Sequence, residues 1–182
     1  MSQASAFVAP ADAPPVSVDD FRLALRQWAS GVTLVTLRAG DDIHGLTVSA
    51  FASVSAEPPL VVVAVDHRHH AYQLLSREGA VFAVNVLHQG QQELSDRFAW
   101  LKDEDRFAKG DWTTAATGAP ILADALAWLD CTLHSRTPAG SHTLFVGEVR
   151  ACRVPVPDRP PLIYWSRGYR ELSLADRPEQ GA

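Results

Sequence analysis

The sequence is short of several things, and each shortage removes a class of function. It has only two cysteines, Cys131 and Cys152, both in strand-like segments. That is too few for a disulfide scaffold, and both read as small buried hydrophobes. The longest purely aliphatic stretch, 60–65, is far short of the roughly 20 residues that a membrane-spanning helix needs, so no membrane partner is expected. The opening MSQASAFVAPADAPP has neither a basic nor an apolar signal region, and the default location is cytoplasmic. Sixteen Lys and Arg against 21 Asp and Glu leave a net charge of −5, which provides no field for gathering nucleic acid. There is no G-x-G-x-x-G after a strand, no P-loop and no Ser-His-Asp, Cys-His or paired-carboxylate signal, so dinucleotide binding by a Rossmann unit and hydrolysis both lack support.

What is present describes an ordinary globular chain, 47% hydrophobic and 20% charged over 182 residues, enough for a single core. Residues 1–16, with Pro10, Pro14 and Pro15, read as a tail, leaving 17–175 as the domain and 176–182 as a second tail. Ser17 is a plausible N-cap for a helix running towards Gly31, with Phe21, Ala24, Leu25 and Trp28 on one stripe. The period then turns strand-like in 31–37 and 43–51, which should pair as a hairpin. The continuous apolar run 60–65 predicts a central strand buried on both faces. A short helix over 71–79 crosses to a strand at 80–87, and 91–100 predicts a surface helix with Leu94 and Phe98 facing inwards.

Later in the chain, Ala127, Leu129, Cys131 and Leu133 alternate with mostly polar neighbours, and PAGS turns the strand back into HTLFVGEVRACRV, giving a long antiparallel pair. Residues 161–172 add one final strand. About seven strands and three helices without βαβ alternation predict a mainly β fold, a closed antiparallel barrel with peripheral helices.

Five sets of residues could carry chemistry. In GLTVSAFASVSAEPP, at 45–59, Thr47, Ser49, Ala50, Ser53 and Ser55 cluster before a double proline. Their hydroxyls and close-approach backbone suit a phosphate or the carbonyl oxygens of a flat ring, although a half-exposed strand would look the same. His142 begins the return strand of the hairpin at its tip, where a ligand could reach it. Histidines exchange protons near neutral pH, but a solvent-exposed turn histidine needs no function. DHRHH, at 66–70, lacks metal-ligand spacing and partners. No metal is expected there, and Arg68 could instead grip a phosphate. Asn85 is a polar residue in an apolar strand, which either pins the barrel or touches a ligand. Phe98, Trp112, Tyr164, Trp165 and Tyr169 could stack on flat rings or belong to a core or subunit interface.

Taken in order, FRLALRQWASGVTLVT, GLTVSAFASVSAEPPLV, FAVNVL with QQELSDRFA, GAPILADALAWLDC, GSHTLFVGEV and PLIYWSRGYREL resemble the flavin reductase-like family, the small reductases of two-component monooxygenases. The resemblance covers nearly all of the chain after the tail. It implies an FMN-binding split β-barrel, Greek-key-like, assembled as a homodimer. It also implies reduction of FMN or FAD by NADH or NADPH, with reduced flavin passing to a partner monooxygenase. The alternative is a flavoprotein of the same barrel that retains FMN tightly. By similarity Thr47, Val48, Ser49 and Ala50 line the flavin ring with Ser30 near it, Ser53 and Ser55 lie towards the ribityl phosphate, and Asn85 is a weaker contact. His142 matches the histidine of the family's G-D-H-x-x-x-x-G-x-V segment, the nicotinamide contact, with Tyr164, Arg167 and Tyr169 nearby. The chain departs from that segment at Ser141, where the family usually has Asp. Losing that carboxylate weakens a proton role for His142 and leaves a positioning role.

Overall fold

Period-two stretches rich in β-branched residues become long strands, and the computed structural model describes residues 14–101 and 105–172. In chain order the elements are α1 (Val18–Leu25), β1 (Ser30–Gly31), β2 (Thr33–Ala39), β3 (Asp42–Val48), β4 (Phe51–Ala56), β5 (Pro59–Asp66), α2 (His70–Leu75), β6 (Val81–Val86), α3 (Gln92–Trp100), β7 (Trp112–Thr113), β8 (Ile121–Leu122), β9 (Ala127–Ala139), β10 (His142–Arg153), β11 (Ile163–Trp165) and β12 (Gly168–Arg170). Short 3-10 turns occupy Gln89–Gln91 and Arg106–Ala108. Apart from residues 14–16, the two expected tails lie outside the described residues. None of the described helices is long and apolar enough to cross a membrane.

Seven strands form one sheet in the order β3-β2-β6-β9-β10-β5-β4, antiparallel throughout. Its two edge strands, β3 and β4, are separated in the chain only by Ser49 and Ala50. Three Cα-to-Cα steps span at most about 11 Å, so the two edges must come together. The sheet therefore curls into a barrel with a seam at 49–50. The expected 31–37/43–51 hairpin is present as β2–β3, and its second strand stops at Val48 because the chain changes edge there.

Two apolar layers fix this wall. Inside the barrel, Val35, Leu37, Val61, Val63, Val65, Phe82, Val84 and Phe145 pack with Ala71, Leu74 and Leu75 of α2, which plugs one end. Outside it, Leu34, Leu87, Leu94, Phe98, Leu122 and Leu162 form a second layer beneath α3. Two glycines permit the closest approaches. A Cβ at Gly45 would lie 2.4 Å from the Phe98 ring, and one at Gly147 would lie 2.4 Å from the Phe82 ring and 2.9 Å from Cys131 Cβ.

Several sequence expectations need correction. The strand buried on both faces is β2, not the 60–65 run: β2 lies between the inner core and the layer under α3, and Thr33 through Leu37 are all buried. In β5, Val61, Val63 and Val65 are buried, while Val62 and Ala64 stay partly open because no described helix covers that part of the wall. The 161–172 segment is not one strand but the β11–β12 hairpin, turned by Ser166 and Arg167 at φ of 48° and 63°. Cys131 is buried as expected, whereas Cys152 is exposed. The stripe expected to bury α1 does not: Ser17 caps the helix through Asp20 N (3.1 Å), yet Phe21, Leu25 and Trp28 are 56%, 53% and 75% exposed.

Two outcomes follow from the packing. Gly147→Ala pushes a methyl into the Phe82 ring and should cost about 1–3 kcal/mol, read as a lower urea midpoint at unchanged m. His44, on β3, is pushed down from 6.5 to about 4 by burial first and then by the positive fields of Arg106, His70 and His69. Between those values the unfolded chain takes up the proton and the folded chain does not, so this contribution is complete above pH 6.5 and is lost as pH falls towards 4. His44→Gln should flatten that fall by about 1 kcal/mol, after allowance for the ring's partial exposure.

Candidate functional site

The seam at Ser49–Ala50 is where the described surface opens. Both residues are exposed and outside the ladder pairings of β3 and β4. The Ala50 carbonyl accepts from Ala64 N–H at 3.0 Å, which ties the crossing to β5. Small side chains leave the backbone approachable on one side.

Two cavities share this seam. The larger, 690 Å³, is lined by Ser49, Ala50, Ala52, Val62, Ala64 and Leu144 on the barrel wall, by Ser30, Tyr164, Trp165, Ser166 and Arg167 on the small β1-β11-β12 sheet, and by Arg22, Leu25, Arg26 and Trp28. The smaller, 320 Å³, lies between the seam and α3. Thr47, Ser49, Ser95, Asp96, Trp100, Tyr164, Arg167 and Tyr169 contribute to it. Both are within the size range of small-molecule sites, about 300–1,000 Å³. Ser49, Tyr164 and Arg167 line both cavities.

Each wall has a local cause. Ser30 pairs with Tyr164 across β1–β11, which places the small sheet against the seam. The β11–β12 turn holds two non-glycine residues in the left-handed region, a strained choice that aims Arg167 into both openings. Tyr169 Oη lies 2.8 Å from Asp96 Oδ1 and 2.9 Å from Ser95 Oγ. The carboxylate takes the single phenol proton, having none to give. Burial is the largest of the effects that raise this phenol above the ordinary tyrosine value. Thr47 Oγ1 donates to the Ser95 carbonyl at 2.6 Å, so β3 and α3 are tied together under the smaller cavity.

The structure gathers Ser30, Thr47, Ser49, Ala50, Tyr164, Arg167 and Tyr169 around these openings and sets the other expected residues elsewhere. The Val48 side chain is buried in the barrel core. Ser53 and Ser55 lie further along β4, outside both linings, and Ser55 Oγ accepts from Glu57 N. Arg68 is no free phosphate clamp: its Nε and Nη2 hold the Asp66 carboxylate at 3.0 and 2.7 Å, and its own N–H does so at 2.9 Å. These bonds, side chain first and then backbone, keep Asp66 well below the usual carboxylate range.

Asn85 is fully buried. Its amide donates to the Leu34 carbonyl (3.1 Å) and Thr36 Oγ1 (3.0 Å) and accepts from Leu122 N–H (2.8 Å). Of its two readings, pinning the barrel is the one the geometry supports, because no donor or acceptor is left facing a cleft. Among the described residues, no group of three or more His, Cys, Asp or Glu is placed to hold a metal ion.

His142 stands at the rim. It is two residues before Leu144 on the same face of β10, and Leu144 and its cross-strand partner Ala64 line the larger cavity. Ser141 Oγ lies 3.0 Å from His142 Nδ1. Although position 141 has no carboxylate, Asp66 is the cross-strand partner of His142, so an anion reaches the histidine from β5 instead.

Sequence reading missed Arg22 and Arg26. Their only signal is a spacing of four, which puts them on one helix face, and the apolar stripe beside them has the stronger period.

The curled antiparallel sheet, whose edge strands β3 and β4 meet at an arginine-lined seam, defines a small ligand-handling barrel. Residues 25–173 match the flavin reductase like domain, and the chain belongs to that family. It is 40% identical over 152 residues to the reductase component of 4-hydroxyphenylacetate 3-monooxygenase from Thermus thermophilus, covering 84% of this chain and 95% of that one. It is 36% identical over 169 residues to an NADH-dependent flavin reductase from a Rhodococcus species, covering 91% and 93%. Among solved structures, the NADH:FAD oxidoreductase SgcE6 of Streptomyces globisporus, in complex with NAD and FAD fragments, superposes with a TM-score of 0.80 at 34% identity, covering 90% of this chain and all of that one.

The burial of Asn85 leads to a direct check. Asn85→Ala leaves the Leu122 N–H unpaired and opens a void, and should cost about 2–3 kcal/mol of stability. At a temperature where the variant is folded, the KM for flavin should stay within twofold of wild type; a large rise would return Asn85 to the site.

Proposed function

We propose that this protein is an NAD(P)H-dependent flavin reductase that reduces FMN or FAD and supplies the reduced flavin to a partner monooxygenase. The observation that carries this reading is the seam itself, a small-residue floor with approachable backbone beneath a cavity lined by three arginines and no carboxylate. Family membership and the relatives' reductase names support it. The residues fit a phosphorylated flat ring. Ser49 and Ala50 offer a low, polar floor, Tyr164 and Trp165 offer aromatic surface, and Arg167 offers a cation where negative charge would collect.

Accepting hydride is the chemistry of the isoalloxazine itself when it is bound. The chain has to position and to balance charge. Ser49 Oγ and the peptide groups of 49–50 hold the ring, and Arg167 stabilises negative charge at the seam. His142, its Nδ1 fixed by Ser141 Oγ, orients the nicotinamide at the rim. No side-chain acid or base is needed for that transfer, which agrees with the absence of a conventional catalytic constellation.

The cleft is open along one side, which supports a flavin that exchanges with solvent and acts as a substrate. The uncovered apolar stripe of α1, with Phe21 and Leu25, supports association with a second copy of the chain, since exposed apolar patches of this kind mark interaction surfaces. A cytoplasmic setting, where NAD(P)H is supplied, completes the reading.

The test begins with flavin-stripped protein, following NADH and NADPH oxidation while FMN or FAD is titrated. Saturation in free flavin is the expected result. A yellow protein that keeps its flavin through gel filtration and ignores added flavin would replace the reductase by a flavin-retaining protein. His142→Ala should raise the KM for the nicotinamide substrate about tenfold, equivalent to ~1.4 kcal/mol, while the flavin KM moves by less than twofold; an unchanged nicotinamide KM removes the positioning role.

A further inference from the structure

The loop DHRHH at 66–70 has no part in the reductase reading so far, since Arg68 is turned back on Asp66. Asp66 and His67 instead reach the tip of the β9–β10 hairpin. His67 N–H donates to the Ser141 carbonyl at 3.1 Å, and His67 Nε2 lies 3.0 Å from Thr143 Oγ1. Asp66 is the cross-strand partner of His142 itself. Three successive tip residues, 141 to 143, are thus each met by residue 66 or 67.

The loop is held firmly enough to act as a support. Asp66 is buried although it ends a strand at the rim, and its carboxylate closes a turn by accepting from Arg68 N–H at 2.9 Å. Arg68 Nε and Nη2 add bonds of 3.0 and 2.7 Å to the same group, the paired-donor geometry that fixes a carboxylate best. The Asp66 carbonyl accepts from His69 N–H at 3.0 Å, and the Tyr72 ring of α2 packs 4.7 Å from that of His67. With these donors around it the carboxylate stays ionised at neutral pH and well below.

Cross-strand partners in an antiparallel pair project from the same face, with Cβ atoms about 4.5–5.5 Å apart. The His142 ring therefore emerges beside a fixed anion on β5. Its partner on the other flank, Ala139 of β9, has no charge, so the ladder gives His142 one ionised neighbour. A half-buried imidazole with two rotatable bonds has several rotamers open to it. Ser141 Oγ, 3.0 Å from Nδ1, and the Asp66 carboxylate restrict that choice from two strands.

We propose that Asp66 is a positioning residue for His142, a buried carboxylate that orients the imidazole across the β5–β10 ladder and, through it, the nicotinamide. This role rests on the reductase reading and deepens it, by adding to the rim a residue that touches no substrate. Arg68 and His67 hold the carboxylate and the hairpin tip in register.

Asp66→Asn tests the role, because an amide oxygen can still accept from Arg68 N–H and keep the turn, while the charge and the paired guanidinium bonds are lost. The KM for the nicotinamide substrate should rise about fivefold, less than in His142→Ala because the ring is still present, with kcat and the flavin KM within twofold of wild type. In a His142→Ala background the same change should have no further effect, since the two residues act through one ring. Should the melting curve show that Asp66→Asn does not fold, Arg68→Met takes its place: it keeps the carboxylate, removes its anchor, and must give the same His142-dependent rise. A second readout needs no turnover. The His142 ring signal in 15N–1H spectra, identified by its loss in His142→Ala, should shift in the variant.

An unmoved ring signal, or a rise in KM that persists without His142, overturns the inference. If His142→Ala leaves the nicotinamide KM unchanged, the link from ring to nicotinamide is lost and the positioning role with it. A protein that reduces no flavin loses the reductase reading, and the ring signal still decides whether Asp66 orients His142. One that reduces flavin with an effect of Asp66 independent of His142 keeps the reading and loses the positioning role.

Discussion

A covalent limit organises the molecule: Ser49 and Ala50 alone must carry the chain between the two edges of a seven-stranded sheet. Without that short crossing the sheet could remain open and twisted, with β3 and β4 far apart. With it the wall closes, the inner faces of β2, β5, β6 and β10 share one core, and α2 can plug the end. The same two residues interrupt the ladder pairings, so closure and an accessible stretch of backbone come from one feature. A flat ring can be held there because the chain is covalently continuous but not paired as a strand.

The layer under α3 determines what surrounds the seam. Gly45 lets Phe98 lie against β3, Thr47 and Tyr169 reach α3 through the Ser95 carbonyl and hydroxyl, and Asn85 locks Leu122 onto the outer face. These contacts set the small β1-β11-β12 sheet beside the seam. Tyr164 and Arg167 thereby come to line both cavities although they are more than a hundred residues from Ser49. On the opposite side no described helix packs on Val62 and Ala64, and the wall stays open to the larger cavity.

Charge follows the same division. The arginines that the fold uses are satisfied within it: Arg68 on Asp66, Arg106 on the Leu101 and Gly45 carbonyls. Those at the cleft, Arg26 and Arg167, are left facing it. A negatively charged protein thus presents a positive interior to one cavity, a pattern suited to a phosphorylated substrate.

Much of the fold was legible in the residues because strand and helix periods are local, set by 3.3 Å and 1.5 Å rises that need no distant partner. The β2–β3 and β9–β10 hairpins, the helix at α3 with Leu94 and Phe98 inwards, and the hydroxyl-rich stretch before Pro58 could all be read that way. What could not be read was which faces meet. The 60–65 run has a composition suited to burial on both sides, but only the closed barrel decides that one side of β5 faces a cleft. Asn85 could have faced a ligand or the core, and three hydrogen bonds to residues 34, 36 and 122 assign it to the core. Arg68 has the right chemistry for a phosphate, but Asp66, two residues earlier, occupies it. Arg22 and Arg26 looked like the solvated side of an ordinary helix. They line the cleft because α1 leads into β1, whose pairing with β11 lies beside the seam, and a pairing between such distant parts of the chain leaves no periodic mark in either part.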